Sequence, residues 1–136
     1  MSYTAGGMRE ERIADRATLK TGSNHGTFEP AYQPVHIRAV SAIVTTALGS
    51  NDISAVFTKR DSVTASNIAT VATLVFSSGL AVGKVLYKDG LDVKLSPSED
   101  IVVKSSGNAD GAASFYVIYE PSPETPANNT DMTETA

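Results

Sequence analysis

Residues 35–120 alternate between short runs of β-branched or aromatic residues and clusters of Gly, Pro, Ser, Asn and Asp. That alternation predicts successive strands and turns. Val35–Thr46 is a long run rich in β-branched residues, closed by Leu48-Gly49-Ser50-Asn51-Asp52. In Ile53–Lys59, Ile53, Ala55 and Phe57 alternate with Ser54 and Thr58, which gives that strand one buried face. In Ile68–Phe76, Ala72, Leu74 and Phe76 share one face and Val71, Thr73 and Val75 the other. Ile101–Lys104 makes a short strand after the turn Ser96–Asp100. The small, polar stretch Ser105–Gly111 reads as a flexible loop. Ser114–Glu120 is apolar on both faces, the pattern of a strand that is central in its sheet or covered on both sides.

Val82–Leu95 carries the sharpest local signal. Asp89-Gly90 lies between two alternating runs, and a type I′ turn asks for two residues that tolerate positive φ. A two-residue hairpin there sets Lys88 against Leu91, Leu86 against Val93 and Lys84 against Leu95, with Leu86, Val93 and Leu95 buried. Tyr87 then faces Asp92, and Val85 faces Lys94, on the wet side. Such a hairpin is marginal alone and has to join a larger sheet.

Outside this region the pattern fades. Residues 1–34 are polar and turn-rich, with Gly6-Gly7, Gly22–Gly26 and Pro30. Met8–Lys20 offers only a thin stripe of Met8, Ile13, Ala17 and Leu19 for a short helix. The segment reads as an arm that orders on a partner or lies along its own domain. After Glu120, Pro121, Pro123 and Pro126 end regular structure, and the acidic remainder looks extended. The expected organisation is an arm over 1–34, a β-domain over 35–120 and an acidic tail over 121–136. With about seven strands and no helix of crossover length, the fold class is all-β: a small antiparallel sandwich or jelly roll.

Composition narrows the function classes. The formal net charge of -4 provides no basic field for nucleic acid or an anionic membrane. The longest apolar stretches are strand-length, far short of a bilayer span. Met1–Ala5 leads into Arg9-Glu10-Glu11-Arg12 without a hydrophobic core, unlike a secretory signal. The chain has no cysteine, which removes disulfides and thiolate metal sites. Asn128-Asn129-Thr130 fits a glycosylation sequon, which stays idle without a secretory route.

The candidates for chemistry are few. His25 sits in a Gly-flanked stretch and His36 near a strand start, with no Gly-x-Ser-x-Gly elbow to pair with either. Glu99-Asp100 and Asp89/Asp92 are the carboxylate pairs, and neither has the look of an acid/base dyad. Asp110 could join a calcium site, yet the dense D-x-D-x-D-G pattern is absent. Neither a Walker A nor a G-x-G-x-x-G sequence occurs. Tyr87, Tyr116 and Tyr119 could stack on bases, against which the acidic balance argues. No catalytic, cofactor or metal residue is therefore assigned, no cofactor is expected, and the expectation is a protein that is not an enzyme.

Four pieces do carry a resemblance. Pro34–Val40, Val85–Val93, Ser96–Val103 and Tyr119–Asn129, in that order, resemble the cement, or head decoration, proteins of tailed bacteriophages. The resemblance implies a compact β-domain, often jelly-roll-like, that forms homodimers or homotrimers and binds the outer capsid surface. It implies a non-enzymatic virion protein, assembled in the host cytoplasm, whose partners are the major capsid protein and itself. Ser2–Leu19 and Pro121–Asn129 become candidate contact segments. The alternative is a β-module of a phage head fibre or tail appendage that binds a receptor or carbohydrate.

Overall fold

The computed structural model describes residues 7–22, 24–30 and 32–122. Among these residues nine strands form and no helix. They are β1 (Arg9–Thr18), β2 (Asn24–Phe28), β3 (Val35–Thr46), β4 (Ile53–Asp61) and β5 (Asn67–Phe76), then β6 (Val85–Lys88), β7 (Val93–Leu95), β8 (Glu99–Ser106) and β9 (Ala112–Pro121). One sheet runs β1-β9-β3-β6, with β7 also paired to β3, and the other runs β2-β8-β4-β5. Every strand pairing is antiparallel. The chain crosses between sheets at almost every connection, staying within one sheet only from β4 to β5 and from β6 to β7. This is the two-sheet jelly-roll arrangement, with β6 and β7 together taking the place of one strand.

Crossing between sheets is what lets alternation build a core, since each strand turns its apolar face to the space between the layers. Ile53, Ala55 and Phe57 of β4, and Ala72, Leu74 and Phe76 of β5, are buried there as their spacing requires. The four phenylalanines, Phe28, Phe57, Phe76 and Phe115, are all fully buried. Phe115 on β9 meets Phe57 at 5.9 Å and Phe76 at 6.0 Å, both edge to face, and His25 stacks on it in parallel at 5.9 Å. β9 is central, between β1 and β3, as its two apolar faces imply.

Of the segment read as an arm, Arg9–Thr18 forms β1. Its apolar positions are too sparse for a helical stripe, but Ala14 and Leu19 suffice to bury one side against the core. β1 bends at a bulge where Asp15 and Arg16 meet the single residue Ser114. There Arg16 N donates to Ser114 Oγ at 3.0 Å while Arg16 adopts a φ of 51°. β2 enters the second sheet, so Arg9–Thr18 and Asn24–Phe28 are strands of the sandwich itself. β1 and β2 pass so closely that a Cβ on Gly26 would overlap the Ile13 carbonyl. The expected tail beyond Ser122 lies outside the described residues.

The hairpin expected at Asp89-Gly90 does not form. β6 and β7 do not pair with each other; both lie along the same edge of β3, as two pieces of one interrupted strand. Val85–Lys88 pairs with Ile43–Val40, and Val93–Leu95 pairs with Ile37–Val35. Between them the four residues Asp89–Asp92 stand opposite only Arg38 and Ala39, so the strand bulges outward. Leu91 N closes the bulge on the Arg38 carbonyl at 3.0 Å. Gly90 has a φ of 72° but Asp89 stays on the negative side, which rules out a type I′ turn. The long free edge of β3 explains the outcome: folding back on itself would leave that edge unpaired, whereas running along it satisfies both. Leu86, Val93 and Leu95 still face the core, because both routes keep the same alternation.

Two substitutions test this arrangement. Phe115→Ala should lower the unfolding free energy by about 3–5 kcal/mol, read from urea melts, because it empties the centre of the aromatic cluster. Gly90→Val should cost about 1–2 kcal/mol from left-handed backbone strain alone, since a side chain there meets no neighbour. A Gly90→Val melt that matches the parent would show that the bulge does not need that backbone conformation.

Candidate functional site

The bulge creates a charged cluster on the outer face of the first sheet. His36 and Arg38 lie two apart on β3 and so point outward together. The bulge carries Asp92 over them: its Oδ1 is 2.9 Å from His36 Nδ1 and 2.8 Å from Arg38 Nη1. Glu120, near the end of the adjacent β9, accepts from Arg38 Nε at 2.6 Å. Arg38 thus bridges two carboxylates from opposite sides. Beside this cluster opens a groove of about 470 Å³, lined in part by Met8, Arg38, Tyr87, Leu91, Asp92 and Ile118. Tyr87 projects on the row Tyr87–Ser41–Tyr116–Arg12 that crosses four strands.

The cluster binds the bulge to the sheet. Asp92 is 70% exposed, so its ion pair with Arg38 is a screened surface contact of about 0–1 kcal/mol. Arg38 and Glu120 are about a quarter exposed and more shielded. The Arg38 charge is already shared by two carboxylates, so the cluster has no surplus positive charge for an anionic ligand. His36 Nε2 is buried and meets no hydrogen-bond partner among the described residues. Among the described residues, the hydrogen bonds of the cluster bring no hydroxyl to His36.

The other histidine is half-buried in a different setting. His25, on β2 rather than in a loop, has Nε2 2.7 Å from Ser105 Oγ. Ser105 donates its own proton to the Lys20 carbonyl at 2.8 Å, so the histidine is the donor in this pair. A serine nucleophile needs the reverse arrangement, with its proton passing to the imidazole. Burial chiefly, and the Lys20 charge secondarily, push the His25 pKa below its ordinary value. This His–Ser contact is structural.

The remaining sequence candidates are also spent on the fold. Asp110 accepts from the amides of Gly49 at 2.8 Å and Asn51 at 2.9 Å, which ties two loops together. Those amides hold its carboxyl below the usual range. Both carboxylate oxygens are thereby engaged, and among the described residues no cluster of three or more His, Cys, Asp or Glu could hold a metal ion. Glu99 and Asp100 point apart. Glu99 accepts from Ser96 N at 2.9 Å, whereas Asp100 is buried and held by Arg60 through two 3.0 Å bonds. Of the three tyrosines, Tyr87 and Tyr116 share the outer face, two strands apart. Tyr119 turns inward onto Phe28 at 4.7 Å, so the three make no stacking platform.

Sequence reasoning did not find the His36–Asp92–Arg38–Glu120 cluster or the Arg60–Asp100 pair. The one local signal was the His36/Arg38 spacing, which puts both on one face of a strand. Their partners are 54 to 82 residues away along the chain for the first cluster and 40 for the second.

Protonation of His25 supplies a test of its half-buried setting. The unfolded chain takes up a proton near pH 6.5 while the folded protein resists until lower pH, so stability falls as the pH drops below about 6.5. Below the folded pKa the loss is complete and flat. Urea melts at pH 7.5 and 5.5 should show a smaller difference for His25→Gln than for the parent. Equal differences would remove His25 from the pH dependence.

With this geometry in hand, the chain can be set beside known proteins. No protein-family model matches it, and no curated protein does. Among solved structures, the Eiger TNF of S. frugiperda is similar at 12% identity and a TM-score of 0.50, covering 98% of this chain and 94% of that one. At that identity the likeness is one of fold: an all-β sandwich of jelly-roll type. The structure of the infectious bursal disease virus Gx strain covers 82% of this chain and 31% of that one, at 13% identity and a TM-score of 0.40, too low to carry an argument.

Proposed function

We propose that this chain is a non-enzymatic virion protein that binds the outer surface of a tailed-phage capsid and stabilises the head by bridging neighbouring capsid subunits. One observation carries the reading. The segments that resemble head decoration proteins lie far apart in sequence, yet three of them converge at one corner of the sandwich. Pro34–Val40 pairs with the Val85–Val93 segment through β6 and the bulge, and with the end of β9 through Pro121 and Val35. Ser122 N donates to the Pro34 carbonyl at 3.0 Å, and the His36–Asp92–Arg38–Glu120 cluster stitches the same corner. Ser96–Val103 starts beside it, since Leu95 pairs with Val35.

Bridging makes physical sense for such a module. Once one contact with the shell is made, the second is effectively intramolecular, so modest contacts add up to tight retention. A sandwich whose polar clusters are spent on internal bonds is a stiff spacer, and stiffness keeps the second contact within reach.

Of the two candidate contact segments, Ser2–Leu19 largely coincides with β1, and removing it would strip a strand from the first sheet. Most of Pro121–Asn129 lies outside the described residues, and residues 123–136 can be cut without touching a described strand. Co-sedimentation of the purified protein with expanded, undecorated heads tests the reading. Saturable binding at a stoichiometry locked to capsid symmetry is expected, weakened by deletion of residues 123–136 while the thermal melt is unchanged. A folded protein that leaves such heads bare would overturn it in favour of an appendage or carbohydrate-binding module.

A further inference from the structure

A sheet edge is a row of unpaired N–H and C=O groups, and soluble proteins protect such edges with charge, brevity, proline or bulges. Three of the four edges here are protected in these ways. β1 carries Arg9, Glu10, Glu11, Arg12, Asp15 and Arg16 in ten residues. The β6–β7 edge is broken by the bulge and flanked by Lys84, Lys88, Asp89, Asp92 and Lys94. β2 is five residues long.

β5 is different. It forms the end of the second sheet, and its ten residues, Asn67–Phe76, include no charged residue, histidine, glycine or proline. The whole stretch Ser62–Gly83 is without Asp, Glu, Lys or Arg, in a chain that carries 26 such residues (11 + 15). Long uncharged runs elsewhere belong to β3 and β9, which lie inside their sheet with neighbours on both sides. Ile68 and Val75, two of the large apolar side chains left exposed, are both on β5, at 51% and 55%. Val63, in the connection that leads into β5, is also exposed. Among the described residues no strand pairs with the outer edge of β5.

We infer that this edge joins a second copy of the same chain, β5 against β5 in antiparallel fashion, making one continuous eight-stranded sheet across a two-fold axis. The half of β5 suited to this is Ala72–Phe76, which pairs with Phe57–Ile53 in unbroken register, whereas both bulges fall in the preceding half. Pairing about Leu74 sets each copy's Thr73 against the other's Val75 on the solvent face, a cross-strand pair of β-branched residues. A two-fold contact must be complementary to itself. A strand without charge meets that condition with no like charges opposed, and it is the place where two copies of net charge -4 approach with least repulsion. A charged partner peptide would find nothing on this strand to pair with. The inference stands independently of the capsid reading.

Light scattering coupled to size-exclusion chromatography of the full chain over a concentration series tests it. The parent should run as a dimer at high concentration. Thr73→Lys and Val75→Lys, both on the exposed face, should each raise the dimer dissociation constant about tenfold or more by placing like charges across the seam. Their melting temperatures at concentrations where the parent is monomeric should match the parent's. Arg12→Glu, on the protected β1 edge, should leave the dimer intact. A parent that stays monomeric throughout, or an oligomer indifferent to both lysines, would overturn the inference. So would a dimer abolished by removing residues 1–6, which would identify an exchanged N-terminal segment as the occupant of the edge.

Discussion

Everything in this fold depends on two sheets closing over one aromatic centre. Phe115 projects from the central strand of the first sheet and meets Phe57 and Phe76 from neighbouring strands of the second. His25 completes the ring of contacts from β2. Edge-to-face pairs of this kind contribute about 0.5–1.5 kcal/mol each beyond the area they bury. Their larger effect is geometric, since they set how the layers sit on each other. In a domain of this size the core has little to spare, and its four largest fully buried side chains are all phenylalanines.

That constraint explains the treatment of the polar groups. Alternation sends one side of each strand into the core and the other outward, so charged residues on neighbouring strands meet on the outer faces. There they bond to one another. Arg38 links Asp92 to Glu120, and Arg60 grips a buried Asp100. Asp110 pins two loops through backbone amides. The Arg60–Asp100 pair illustrates the energetic logic: removing one partner would leave the other desolvated and unpaired, at a cost of about 3–5 kcal/mol. Groups committed this way hold strands and loops in register. The large apolar side chains left on the outer surface include Ile68 and Val75 on β5 and Val85 and Tyr87 on β6.

The sequence by itself determined a good deal. Alternation identified the all-β class, the buried face of β4, the two faces of β5 and the apolar character of both faces of β9, because a period of two is a property of the extended backbone and needs no partner to express it. Seven strands expected between residues 35 and 120 correspond to the seven from β3 to β9. Tertiary structure decided which strands pair. Asp89-Gly90 is as good a hairpin signal as local chemistry offers, yet β6 and β7 run along β3, since a twelve-residue free edge satisfies more backbone groups than a four-residue hairpin can. β1 was illegible for the complementary reason: a strand rich in Arg and Glu looks like a solvated arm until a neighbour supplies its ladder. The site followed the same rule. His36 and Arg38 could be placed on one face from their spacing, but Asp92 and Glu120 reach them only through the bulge and the β9–β3 pairing, contacts that no local pattern encodes.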